Sequence, residues 1–430
     1  MLVGVLLPGH GREPLEPLRE LSGLATSAGA IVVDSLIQKR QKPDASAYLG
    51  HGKVEELKQL VTKCDADVII FDNELSPGQI RNLELATDTK VLDRTEVILD
   101  IFASRARTHE ARLQVELAQL EYALPRLKRM WTHLSRMEGG IGMRGPGEQQ
   151  LEEDRRIVDR KITELRRKIA LIQDRKEREV ASRSAEPTVA IVGYTNAGKS
   201  TLMNALTGAG VLVEDKLFAT LDTRTRRWRI PTFGQVLLSD TVGFIRDLPH
   251  GLVASFKATL EEVRRADLLL HVVDALSDSA RDQIAAVQSV LKELGCEKKP
   301  TVMALNKIDG ISDRSYLDVL RAAFPQSVPI SARAGTGMED LGRAVGDAIA
   351  QSFLDVEIET ATSHGKLLAY LGSHAIEQSR LYENGRVVIH CRLPRQCLAH
   401  VLRLRGAVRP ASDATLALIA SSPDLMAPVR

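Results

Sequence analysis

The sequence predicts an α/β protein: an N-terminal α/β domain bearing a long helical hairpin, then a doubly wound α/β domain, then a small α+β C-terminal domain. Three patterns carry this. Short β-type and helical runs alternate from Leu2 to about Leu99, long apolar periodicities at helical spacing fill Arg94 to Arg183, and a strand, a glycine loop and a helix follow one another from Thr188. At 430 residues the chain is long enough for about three domains. With 58 basic against 56 acidic residues, net charge gives no reason to invoke nucleic acid or membrane, so any basic surface must be local.

Over 1–103 the β-type runs Leu2–Leu7, Ala30–Leu36 and Val68–Phe71 alternate with the helical runs Glu13–Ser27, Val54–Lys63 and Pro77–Ala86, which implies a parallel sheet. Gly50-His51-Gly52-Lys53 has the wrong residue order for a phosphate loop and reads as the start of a helix. The apolar Met1–Pro8 is too short for a signal segment and lacks a basic stretch before it, so it reads as the first strand. No apolar run approaches a membrane span, and the expectation is a soluble, cytoplasmic monomer. Cys64, Cys296, Cys391 and Cys397 lack zinc-type or C-x-x-C spacing and are expected to be reduced structural thiols.

Over 104–185, Leu113, Leu117, Leu120, Tyr122, Leu124 and Leu127 mark one helix, and Ile157, Ile162, Leu165, Ile169 and Ile172 a second. The stretch Glu138–Glu148 between them is too rich in glycine to be helical, so an antiparallel hairpin with a tip loop is expected. Arg126, Lys128, Arg129, Arg136, Arg144, Arg155, Arg156, Arg160, Lys161, Arg166, Arg167 and Lys168 concentrate positive charge here. Interleaved Glu152, Glu153, Asp154, Asp159 and Glu164 favour a solvated helix face on charge alone. The alternative is an arm that grips phosphate backbone, with Trp131 and His133 available for stacking.

The doubly wound domain, 186–353, holds Gly193-Tyr194-Thr195-Asn196-Ala197-Gly198-Lys199-Ser200, which fits G-x-x-x-x-G-K-[ST]. Backbone N–H groups of such a loop cradle phosphate oxygens, Lys199 meets the β/γ-phosphates, and the Ser200 hydroxyl binds Mg²⁺. Thr188–Val192 reads as the strand before it and Thr201–Leu206 as the helix after it. Asp240, closing the apolar run Val236–Ser239, is placed to hold Mg²⁺ through water, and Asp240-Thr241-Val242-Gly243 to sense γ-phosphate through the Gly243 N–H. In the switch segment Phe218-Ala219-Thr220-Leu221-Asp222-Thr223, Thr220 is expected to add a third Mg²⁺ ligand, with Thr223 in reserve. Asn306-Lys307-Ile308-Asp309 names guanine: Asp309 accepts from N1 and N2, Asn306 supports the loop and Lys307 lies along the base. Ser331-Ala332-Arg333 completes the set, with the Ala332 N–H expected at guanine O6. The ordered series says GTPase. Phe244 stands where many GTPases place a water-orienting glutamine, so no catalytic side chain is assigned and slow intrinsic turnover is expected. Asn196 suits either a K⁺ site near the β/γ-phosphates or a plain loop hydrogen bond.

In the tail, 354–430, Glu383-Asn384-Gly385-Arg386 signals a tight hairpin between Ile376–Tyr382 and Val387–Cys391. Nothing there suggests chemistry, and an interaction or packing role is expected.

At Gly139-Gly140-Ile141-Gly142, Gly145-Pro146-Gly147-Glu148 and Gln150-Leu151-Glu152 the sequence resembles the HflX family of ribosome-associated GTPases. Leu92–Thr95, Ile98–Phe102, Arg105–Thr108 and Gln114–Leu120 resemble that family's linker, and Phe218–Asp222 its switch one. Met143, Gln149 and Glu153 depart from its pattern. The resemblance covers about Leu2 to Phe353. It implies GTP-dependent binding to the large ribosomal subunit, ribosome splitting under stress, and RNA contacts by the hairpin, with Arg136, Arg144, Arg155 and Arg156 as candidates. A GTP-timed adaptor that recruits a protein client through its N-terminal domain is the alternative. An ATP-dependent RNA-remodelling activity of that domain is disfavoured by the lack of a second phosphate loop.

Overall fold

A computed structural model of the chain describes residues 1–8, 17–130, 146–181, 186–208, 217–218, 224–231, 233–246, 257–311, 315–383, 385–404 and 406–411. The first sheet is parallel, in the order β2 (Ser35–Lys39), β1 (Leu2–Leu6), β3 (Val68–Phe71), β4 (Lys90–Asp93). Helices α1 (Arg19–Ser27), α2 (His51–Cys64), α3 (Pro77–Thr87) and α4 (Arg94–Arg105) cover it. The glycine-rich Gly50–Lys53 is indeed where a helix begins, with Gly50 as the residue before α2. α3 opens on a capping box in which Ser76 and Gln79 satisfy each other's backbone N–H groups.

One expectation fails here. The β-branched run at Ile31 and Val33 is not a strand: Ile31 is 88% exposed, and pairing with β1 starts only at Asp34 and Ser35. Apolar, β-branched content marks a strand only where a partner covers it, and here the chain is still climbing out of α1.

α5 (His109–Met130) and α6 (Pro146–Ala181) pack side by side along Leu113, Leu117, Ile162, Leu165 and Ile169. Their 131–145 connection, with Trp131, His133, Arg136 and Arg144, lies outside the described residues. Asp93 fastens the base of α5. It caps α4 by accepting from the Glu96 N–H at 3.0 Å, and takes the Tyr122 hydroxyl at 2.6 Å and Arg126 Nη2 at 2.9 Å.

The second sheet runs β10 (Val328–Pro329), β9 (Thr301–Asn306), β8 (Leu268–Asp274), β5 (Thr188–Gly193), β7 (Gly234–Asp240), β6 (Arg224–Ile230), with only β6 antiparallel. Around it stand α7 (Lys199–Thr207), α8 (Lys257–Arg265), α9 (Ala280–Glu293), α10 (Ser315–Ala323) and α11 (Met338–Ser352). β5 is central and almost wholly buried, as its Val189–Val192 run requires.

The tail is an antiparallel sheet of β12 (Ile376–Glu383), β13 (Arg386–Pro394), β11 (Phe353–Ala361) and β14 (Ala407–Pro410), backed by α12 (Gly365–His374) and α13 (Arg395–Arg403). Gly385 turns the hairpin at φ +77°. Arg392 ties this sheet to the second by donating to the Phe233 carbonyl at 2.8 Å. All four cysteines are free thiols. Among the described residues no helix is long and apolar enough to cross a membrane.

Candidate nucleotide site

The loop Gly193–Ser200 leaves β5 at the carboxyl end of the sheet, where a parallel α/β sheet opens a crevice for ligands. Two of its glycines are obligatory. Gly193 has φ +155° and a Cβ there would stand 2.3 Å from the Val272 carbonyl oxygen; Gly198, at φ +92°, would collide with Asn306 Nδ2. Lys199 is buried, and Nζ donates to the carbonyls of Gly193 at 3.2 Å and Tyr194 at 2.8 Å. Burial pushes its pKa down to about 8, against the opposing pull of Asp240. Nearby His271 is buried in β8 and driven to about 4 by desolvation and by Lys199, so it is neutral.

Ser200 Oγ donates to Asp240 Oδ2 at 2.7 Å, and Asp240 is wholly buried. Two hard oxygen donors side by side at the foot of the loop suit Mg²⁺. Thr220, the third expected ligand, lies with Ala219 and Thr223 outside the described residues. Thr241 donates to the Ile191 carbonyl at 2.6 Å, so its hydroxyl serves the sheet. Gly243 lies so close to the loop that a Cβ would be 2.9 Å from Lys199 Nζ. Phe244 is 2% exposed, its N–H donating to Gly193 O at 3.1 Å and its carbonyl accepting from Thr195 N at 2.7 Å.

On the base side, Asn306 Nδ2 donates to the Ala197 carbonyl at 2.9 Å and Oδ1 accepts the Ala332 N–H at 2.9 Å. The Ala332 N–H, expected at guanine O6, is held by Asn306 in this geometry. Ser331 Oγ donates to Asp309 Oδ1 at 2.6 Å, which holds that carboxyl below its usual range. Lys307, at φ +68°, reaches Asp274 at 2.7 Å. Arg333 and Asn196 are exposed; Asn196 sits at φ +59°, a conformation asparagine tolerates. Thr201 lies half-buried in the first turn of α7.

Several side chains in the expected set face away from the crevice, because the first sheet's helices pack on this edge of the second. One buried cluster runs from Leu21, Ile98 and Phe102 into Tyr194, Phe218, Val242, Phe244 and Ile245. Phe218 meets Phe102 edge-on at 4.6 Å, and the Leu217 N–H donates to Ser27 Oγ at 3.1 Å. Tyr194, Phe218 and Val242 therefore offer a nucleotide only their backbones.

Sequence reasoning missed the polar part of this junction. Glu20 accepts from the Tyr194 hydroxyl and from Arg94, and its carboxylate lies 3.7 Å from Arg246 Nη2. Arg94 also donates to Asp72 at 2.8 Å and to the Arg246 carbonyl at 3.1 Å, while the Arg246 N–H donates to Tyr194 Oη at 2.8 Å. Arg246, three residues past Gly243, is held at its N–H, carbonyl and guanidinium together. No local pattern could flag Glu20, which is 174 residues from Tyr194.

On the hairpin, Arg126 is engaged by Asp93, and Arg155 (3.6 Å to Asp159), Lys161 (2.6 Å to Glu116), Arg166 (2.7 Å to Glu121) and Lys168 (2.7 Å to Glu164) all pair with carboxylates. Arg156 is exposed on α6. Over its described part the hairpin's positive charge is partly compensated.

Three family models match the chain in succession: GTP-binding GTPase N-terminal over 16–103, GTP-binding GTPase Middle Region over 105–183, and 50S ribosome-binding GTPase over 188–307. The GTPase HflX of Escherichia coli (strain K12) is 43% identical over 384 residues, 88% of this chain and 90% of that protein. The GTPase HflX of Lacrimispora saccharolytica is 50% identical over 327 residues, 75% of this chain and 77% of that protein. A solved GTP-binding protein from Sulfolobus solfataricus in complex with GDP is 26% identical over 82% of this chain and 99% of that one, with a TM-score of 0.42. The site and these relatives agree, and the chain belongs to the HflX family of GTPases, enzymes that bind and hydrolyse GTP.

Proposed function

We propose that the chain is a GTP-driven switch that binds the large ribosomal subunit and separates stalled or idle ribosomes into subunits. The observation that carries this is the junction at the γ-phosphate sensor. Tyr194, Phe218 and Arg246 are bound by Glu20, Phe102 and Arg94, so whatever moves the sensor bears on the N-terminal region, 1–103, and on the hairpin, 104–185. The G domain, 186–353, supplies the movement, and the tail touches it where Arg392 donates to the Phe233 carbonyl. Likeness to a family model described as a 50S ribosome-binding GTPase supports the choice of partner.

In this reading Lys199 leaves the carbonyls of Gly193 and Tyr194 to neutralise the β/γ-phosphates, while loop N–H groups from Asn196 to Thr201 cradle their oxygens. Ser200, Asp240 and Thr220 would hold Mg²⁺, directly or through water; the ion would neutralise charge on the transferring phosphoryl group. Gly243 gives its N–H to the γ-phosphate. Asp309, pre-oriented by Ser331, reads guanine N1 and N2, Lys307 lies along the base, and Asn306 locks the base loop to the phosphate loop. The Asn196 carboxamide makes no hydrogen bond to a described residue, so its oxygen is available to a K⁺ ion at the β/γ-phosphates.

Phe244 is buried and apolar, and no side chain directly after Gly243 can orient water. Turnover should be slow alone and rise when the ribosome orders the switches. Phosphate release measured with and without purified large subunits tests this: stimulation of at least about tenfold is expected, which is about 1.4 kcal/mol of barrier. An unchanged rate at every salt concentration would contradict it.

A further inference from the structure

β6 is an edge strand of unusual composition: Arg224-Thr225-Arg226-Arg227-Trp228-Arg229-Ile230 has four arginines and no acid. Trp228 and Ile230 are buried and fix the strand to the sheet, while Arg226, Arg227 and Arg229 are exposed. Elsewhere several arginines of this nearly neutral chain are paired with carboxylates, as in Arg264 and Arg265 with Glu261, Arg343 with Asp340, Arg380 with Glu377, and Arg386 and Arg409 with Glu359. On β6 the only carboxylate pair among the described residues is Arg227 with Glu186, at 3.6 Å and with the arginine 67% exposed.

Charges on an edge strand also prevent sheet-to-sheet aggregation. The opposite edge shows how little that requires: β10 is two residues long and ends in proline. β6 is seven residues long, and Arg227 and Arg229, two apart, project from one face about 7 Å from each other. Guanidinium forks at regular spacing match phosphodiester oxygens, which they bind bidentately.

We infer that the β6 edge is a docking strip for an RNA phosphate backbone, an inference that rests on the ribosomal reading above. Its place gives it a consequence. β6 begins at Arg224, immediately after the segment that carries Thr220, and Arg224 is paired in register with Asp240 of β7. Thr225 and Ser239 share a hydroxyl hydrogen bond at 2.9 Å. RNA seated on Arg227 and Arg229 would fix the strand that joins both phosphate-sensing segments, which supplies a route for stimulated hydrolysis.

The test uses the full chain with Arg227→Glu and Arg229→Glu together, beside the charge-preserving Arg227→Lys and Arg229→Lys. Neither residue belongs to the nucleotide site, so GDP affinity and unstimulated hydrolysis should match the original chain and report correct folding. Binding is measured against purified large subunits and against their protein-stripped RNA, over about 50 to 300 mM KCl. The glutamate pair should weaken binding to both by at least about tenfold and flatten the log–log salt slope by about 1 to 2, with loss of subunit-stimulated hydrolysis. The lysine pair should retain most of the binding.

Equal affinity and slope for the glutamate pair would overturn the inference and leave β6 a guarded edge. Loss on intact subunits with full binding to stripped RNA would also overturn it, in favour of an acidic protein surface. Failure of the original chain to bind subunits at all would instead strike the ribosomal reading, and this inference with it.

Discussion

Burial of Lys199 sets up a tension that a nucleotide relieves. The ordinary lysine pKa is 10.5 and the folded value is about 8, so below about 8 both folded and unfolded chains carry the proton and the folded state bears the full cost. As pH rises from about 8 to 10.5 the folded state sheds its proton first and that cost fades. Lys199→Met should therefore make the nucleotide-free protein more stable at pH 7, on the order of 3 kcal/mol, with the difference shrinking above pH 8. Urea unfolding midpoints of the two proteins across pH check this, and a pH-independent difference would refute it. Asp309→Asn should move base preference from guanine toward xanthine, because an amide cannot accept both guanine hydrogens. Competition binding reads that directly; a preserved guanine preference would remove Asp309 from the role proposed for it. Asn196→Ala should erase any K⁺ over Na⁺ preference in turnover, and a retained preference would clear Asn196 of cation binding. Residues of this kind were legible in the sequence because nucleotide chemistry confines them to short contiguous motifs. Glu20 and Arg94 were not, since their partners lie 174 and 152 residues away and a lone carboxylate or arginine on a helix looks like surface.

Among the elements, strands with continuous apolar runs were readable and strands defined by their partners were not. β5 and β3 fall where Thr188–Val192 and Val68–Phe71 place them. β2 is displaced to Ser35–Lys39, a mixed stretch made a strand by its pairing with β1. β4, at Lys90–Asp93, went unread for the same reason. It matters because Asp93 caps α4 and also receives Tyr122 and Arg126 from α5. Removing one partner of such a buried pair costs about 3 to 5 kcal/mol. Asp93→Ala should thus raise hydrogen exchange at the base of α5 by about a hundredfold or more while leaving GDP affinity intact. Protection equal to the original chain would mean the hairpin is held by its apolar contacts alone.

For the molecule as a whole, motif order identified a guanine-nucleotide motor, but not how its output is carried. That depends on a core shared between regions far apart in sequence, from Leu21 and Phe102 to Phe218 and Phe244, which no periodicity reveals. The sensor's exit at Arg246 is clasped from the N-terminal side, and in the proposed switch these contacts carry the nucleotide state to the arms. Several of the hairpin's described cations are paired with carboxylates, whereas three exposed arginines on β6 have a single such pair among the described residues. The central claim, that GTP binding on this chain drives ribosome subunits apart, is tested most directly by sedimenting intact ribosomes through a sucrose gradient with the protein and a non-hydrolysable GTP analogue, or with GDP. The account predicts conversion to free subunits, with the protein on the large one, in the analogue alone. Intact ribosomes in both gradients, or equal splitting with GDP, would contradict it.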